Sequence, residues 1–178
     1  MTLQFGKLTF QHAAQVKALL GTPVINYLEK HGYDGVRVSE IDASLADTAA
    51  FCEHYEIGMN ISANCVIVEA KRADRVWHAA CLVLATSKVD VNGIIRKALD
   101  ARKISFAPME TATSLTCMEY GGITPIGLPS DWPIFIDSQV IQNERVILGS
   151  GIRKSKILIE SERLQGLPHA KVLNITKN

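Results

Sequence analysis

Residues 118–133 read MEYGGITPIGLPSDWP, with three glycines and three prolines in sixteen positions. The adjacent Gly121 and Gly122 admit positive φ and a close backbone approach. Pro125 fixes its own φ and holds Thr124 extended. A loop constrained in this way through Gly121, Gly122, Ile123, Thr124 and Pro125, and on to Gly127, presents backbone N–H groups at fixed positions. Such groups bind an anion or a developing oxyanion without any charged side chain. The same residues also suit a helix C-cap followed by a proline stop, so the loop alone leaves both readings open.

A second stretch, LGSGIRKSKILI, strengthens the chemical reading. Ser150 stands between Gly149 and Gly151 where two strand-like runs meet, a place where backbone approaches a ligand. Arg153 follows with a guanidinium matched to phosphate or carboxylate. Arg153, Lys154 and Lys156 equally suit a solvated hairpin. Asp137, in IFIDSQV, is a carboxylate among apolar strand residues, which calls for a hydrogen-bonded turn or a contact with substrate.

The familiar nucleophile and phosphate signatures are missing. GSG is not the GxSxG of a nucleophile elbow, and no GxxxxGK[ST] occurs. Five histidines, His12, His31, His54, His78 and His169, are scattered and read as structural or surface groups. The four cysteines, Cys52, Cys65, Cys81 and Cys117, have no CxxC and no histidine pair at a zinc spacing. They read as reduced thiols, and neither a metal nor a cofactor is expected.

The elements that must position these residues follow from periodicity. Phe10, Ala14, Val16, Leu19 and Leu20 recur at helix spacing and predict a first helix ending at Gly21, with a second starting at Pro23 and closing at His31 and Gly32. The segment 1–40 is therefore expected to be largely helical, with GVRVSEID as a short strand. Ser44, with Asp47 three residues on, resembles a capping box opening LADTAAFCEHYEIG, closed by Gly58. NCVIVEAK and WHAACLVLAT read as central antiparallel strands joined by RADR. Asp90 caps the helical DVNGIIRKALDAR, ISFAP is a strand, and METATSLTCMEY a helix running into the glycine-proline loop. PIFIDSQV, ERVILGSG, SKILIES and AKVLNIT supply further strands, with a short helix in SERLQGL. Most strand connections are too short for a parallel crossover. The expected fold is a single α+β domain over residues 1–178, its mixed, mainly antiparallel, barrel-like sheet flanked by helices.

From about Ser44 to Asn174 the chain resembles the YbaK and prolyl-tRNA synthetase-associated domain family of trans-acting aminoacyl-tRNA editing deacylases. The order of parts agrees, and the most specific element is the GxxxP loop from Gly121 to Pro125, in the wider form GGxTPxG, together with Asp137, Gly151 and Arg153. The resemblance implies hydrolysis of a mischarged aminoacyl ester without a protein nucleophile. The loop Gly121, Gly122, Ile123, Thr124 and Pro125 would orient the ester. Asn64, Gly127, Asp137, Gly149, Ser150, Gly151 and Arg153 would line the pocket or meet the terminal adenosine. One departure stands out: Asn64 occupies the position where better-known members carry a lysine, leaving a hydrogen-bond donor without charge. Cys117 likewise stands where TG is common.

Composition fits this reading without requiring it. Nineteen basic and eighteen acidic residues give a formal net charge of +1, so bulk charge does not argue for nucleic acid. No secretory leader and no membrane span are read from the sequence, and the cytoplasm is the expected address. The expected partners are the aminoacyl-tRNA acceptor end and an aminoacyl-tRNA synthetase, with oligomeric state open. The alternatives kept beside the deacylase are a non-catalytic tRNA-end or nucleotide-binding protein and a synthetase-associated domain that uses its first forty residues as the contact.

Overall fold

In the computed structural model, residues 1–177 are described. The strands are β1 Leu3–Phe5, β2 Leu8–His12, β3 Val36–Glu40, β4 Ala63–Arg72, β5 Arg75–Leu84, β6 Lys103–Phe106, β7 Ile134–Asp137, β8 Arg145–Gly149, β9 Ser155–Glu160 and β10 Ala170–Leu173. The helices are α1 Thr22–His31, α2 Thr48–Tyr55, α3 Arg96–Ala98, α4 Met109–Thr116 and α5 Ser138–Ile141. Two five-stranded sheets form, ordered β1-β2-β3-β9-β8 and β10-β7-β5-β4-β6. Among the described strands, the parallel ladders are those of β7, with β5 on one side and β10 on the other. A parallel bridge between Ser62 and Ile147 links the two sheets.

Strand alternation builds three apolar layers. Val146 and Leu148 of β8, Ile157 and Ile159 of β9, and Leu82 and Ile136 face the central core between the sheets, with Val24 and Leu28 of α1. Ile147 and Leu158 face the opposite way, against Phe10, Phe51 and Cys52. Ala79, Cys81, Val83 and Phe135 face a third layer under Val91 and Ile95. Strands buried on both faces need near-continuous apolar runs, which explains ILIE and CLVL.

Several local expectations are corrected. No helix spans residues 10–20: Leu8 and Phe10 are buried while Thr9 and Gln11 are exposed, so the period is two and β2 pairs with β1 and β3. Two short 3₁₀ turns, Ala13–Gln15 and Lys17–Leu19, then lead to α1. The cap of α2 is Asp47, whose carboxylate accepts from the Ala49 amide at 3.1 Å, while Ser44 belongs to a preceding turn organised by Asp42. α2 closes at Glu56 in the left-handed region, φ 56°, rather than at Gly58. Similarly, α4 stops at Thr116 because Cys117 is left-handed, φ 54°, so the glycine loop starts a turn earlier than the pattern implies.

Candidate functional site

Three chain segments meet where the sequence placed its glycines. The Gly151 amide donates to the Gly122 carbonyl at 2.7 Å, and the Glu119 amide donates to the Gly151 carbonyl at 2.9 Å. On the other side the Gly21 amide donates to the Ser150 carbonyl at 2.8 Å. Close approach demands glycine here: a Cβ on Gly122 would lie 2.5 Å from the Ile152 carbonyl oxygen, and one on Gly21 would lie 2.9 Å from the Gly151 Cα. Ser150 is fully buried and ties the turn together through the Ser155 hydroxyl at 2.7 Å, which itself donates to the Leu19 carbonyl.

Beside this junction lies a cleft of about 370 Å³, lined by residues from the start of α2, the start of β4, the glycine loop and the β8–β9 turn. Gly121, Ile123, Asn64, Gly149 and Arg153 all contribute. The amides of Gly121 and Ile123 have no acceptor among the described residues. Thr48 Oγ1 donates to Asn64 Oδ1 at 2.6 Å, and the Asn64 amide N–H groups have no partner among the described residues. The Arg153 guanidinium donates to the Tyr120 carbonyl at 2.9 Å and the Ala43 carbonyl at 3.1 Å, fixing it at the rim. Cys65 also lines the cleft, but burial pushes its thiol well above the usual range, so it is no thiolate nucleophile.

Lys156 is the residue that sequence reading missed. It lines the cleft at 7% exposure, with Nζ donating to the Ala46 carbonyl at 3.2 Å and lying 5.2 Å from the Phe51 ring centroid. Burial pushes its pKa down, helped by Arg153, while Cys52 and Asp47 pull the other way. Its signal was present in SKILIE: Lys156 shares a strand face with Leu158, and a strand apolar on both faces forces that lysine inward.

The other expected site residues separate. Thr124 is fully buried and its hydroxyl finds no partner among the described residues. Pro125 and Gly127 face a different groove of about 270 Å³, with Tyr27, His31 and Pro129. Asp137 stands apart from the cleft. It is fully buried, caps α5 through the Gln139 amide at 3.3 Å, and accepts from the Ile175 amide at 3.0 Å. Its carboxylate serves a turn, the first of the two roles its surroundings permitted. Among the described residues, no group of three or more His, Cys, Asp or Glu is arranged to hold a metal ion, and no helix is long and apolar enough to cross a membrane.

The two sheets, with a cleft at their junction lined by Lys156 and Arg153, define an α+β domain. The chain belongs to the aminoacyl-tRNA editing domain family, whose model matches residues 42–167. Solved structures share the fold. A proposed trans-editing enzyme for prolyl-tRNA synthetase aligns with TM-score 0.75 and 18% identity, covering 88% of this chain and 96% of its own. A hypothetical protein aligns with TM-score 0.76 and 15% identity over 87% and 99% of the two chains. A proposed signal-transduction protein from Marinobacter aquaeolei VT8 aligns with TM-score 0.58 and 16% identity, over 89% of this chain and 31% of that one. No curated protein sequence matches.

Proposed function

We propose that this protein hydrolyses the ester of mischarged aminoacyl-tRNA in trans. The observation that carries the reading is the cleft itself: Gly121 and Ile123, with unused amides, face a space shared with Asn64 and Arg153 and bordered by no activated nucleophile. In this reading water adds to the ester carbonyl carbon and negative charge collects on the carbonyl oxygen, where preorganised N–H donors stabilise it. The carbon–oxygen bond to the terminal ribose then breaks, and the ribose oxygen leaves with a proton. The neighbouring ribose hydroxyl orients the water, so that positioning supplies much of the acceleration. Asn64 donates to the substrate where family resemblance places a lysine.

The test is the decay of alanyl, cysteinyl, seryl and threonyl esters on matched and mismatched tRNAs, with and without the protein. Selective acceleration is expected. Replacing Gly121, at φ +79° with its Cβ position 2.8 Å from Arg153 Nη1, by alanine should lower that acceleration by about tenfold or more. Unaltered decay across the panel, with tRNA still bound, would make the cleft a binding site only.

A further inference from the structure

Several exposed cations of this protein pair with carboxylates: Lys7 meets Glu56 at 2.8 Å, Lys17 meets Glu29 at 3.0 Å and Arg163 meets Glu160 at 2.9 Å. The most buried cation does not. Among the described residues Lys156 makes no ion pair, and its one hydrogen bond goes to the Ala46 carbonyl, which leaves two ammonium N–H groups unused. Arg153, across the same cleft, likewise spends its guanidinium on carbonyl oxygens. The one carboxylate lining the space, Asp47, is committed to capping α2. Asp47 acts on Lys156 without contacting it, and desolvating a cation without a directly paired counter-charge is costly, a cost that is offset when an anion enters.

The identity of the anion follows from the substrate class proposed above, on which this inference rests. An aminoacyl ester offers no free carboxylate, and its amino group is cationic. A transient oxyanion exists only during reaction, whereas Lys156 is unpaired at rest. The permanent negative charge adjoining the terminal nucleoside is its phosphate. We propose that Lys156, seconded by Arg153, forms a phosphate subsite in the cleft that holds the phosphodiester leading to the terminal nucleoside of the RNA.

Calorimetric titration with adenosine, adenosine 5′-monophosphate and inorganic phosphate tests this directly. The wild-type protein should bind the monophosphate about tenfold or more tightly than adenosine. Inorganic phosphate should compete with the monophosphate and leave adenosine binding unchanged, which separates the bare anion from the nucleotide. Lys156→Gln should bring the monophosphate down to the adenosine level, Lys156→Arg should keep part of the preference, and Lys154→Gln, at an exposed neighbour, should keep all of it. Melting curves establish that the variants are folded. On aminoacyl-tRNA, Lys156→Gln should raise KM with kcat retained.

Equal binding of adenosine and its monophosphate by the wild type, or a preference that survives Lys156→Gln, overturns the subsite. So does a fall in kcat at constant KM, which would place the ammonium on the oxyanion. The two proposals fail separately. Monophosphate preference without deacylation sinks the hydrolase and keeps the subsite, while deacylation without that preference does the reverse.

Discussion

Lys156 sets function against stability at the level of one side chain. Its hydrocarbon stem packs in the layer of Phe51 and Leu158, and only its ammonium is out of place there. Methionine keeps the length and removes the charge. Lys156→Met should therefore raise unfolding stability by about 1 kcal/mol near neutral pH, read from urea midpoints. The pH dependence carries a defined sign. The unfolded lysine holds its proton up to the usual 10.5, whereas the buried one releases it earlier, so the unfolded state binds more protons between those two values. Stability should rise with pH across that window in the wild type, and the rise should vanish in Lys156→Met. A lysine retained for its bond to the Ala46 carbonyl would behave oppositely, with the variant less stable at every pH.

At the scale of elements, caps decide where the cleft walls begin. Asp47 and Thr48 start α2 and line the cleft, so the Asp47 carboxylate fixes both a helix end and the Thr48 hydroxyl that holds Asn64. Asp47→Ala should cost about 1 kcal/mol in urea unfolding, while Ser44→Ala should cost less because Ser44 only decorates the Asp42 turn. Equal costs would return the capping role to Ser44. The contrast shows what the sequence made legible. The β4–β5 pair, the β8–β9 pair, α1 and the Asp90 cap were readable because local pattern and tertiary burial agree there. The N-terminal strands were not, because Phe10, Ala14 and Val16 mimic helix spacing while Leu8 and Phe10 obey the period of the sheet they join. The glycine loop and Arg153 stood out by residue type, and Gly121, Ile123 and Arg153 do meet at one cleft. Lys156 was hidden by two basic neighbours that made it look like part of a solvated hairpin, and Asp137 drew notice for a polar type that its turn fully explains.

For the whole molecule, the first forty-one residues lie outside the matched family region of 42–167, yet they form a wall of the fold. β2 and β3 complete one sheet, the Leu19 carbonyl receives the Ser155 hydroxyl, and Gly21 packs backbone to backbone on Gly151. The inward face of this segment is thus consumed by the domain itself, and any synthetase contact through it would use the outward face. The Gly21–Gly151 contact also transmits position, since Arg153 leaves the β8–β9 turn two residues later and enters the cleft. Gly21→Ala puts a Cβ 2.9 Å from the Gly151 Cα, against backbone that the Gly21, Glu119 and Gly151 hydrogen bonds hold on both sides. Such overpacking should cost about 1 to 3 kcal/mol in urea unfolding. Relief by moving the turn would shift Arg153, so the proposed aminoacyl-tRNA turnover should fall by about tenfold or more even where the protein stays folded. Gly166→Ala provides the comparison: its Cβ meets nothing within 4 Å, and the substitution should be neutral or slightly stabilising with turnover unchanged. If Gly21→Ala matched Gly166→Ala in both measurements, the N-terminal segment would be a cover on the domain, and the cleft would owe its geometry to the two glycine turns alone.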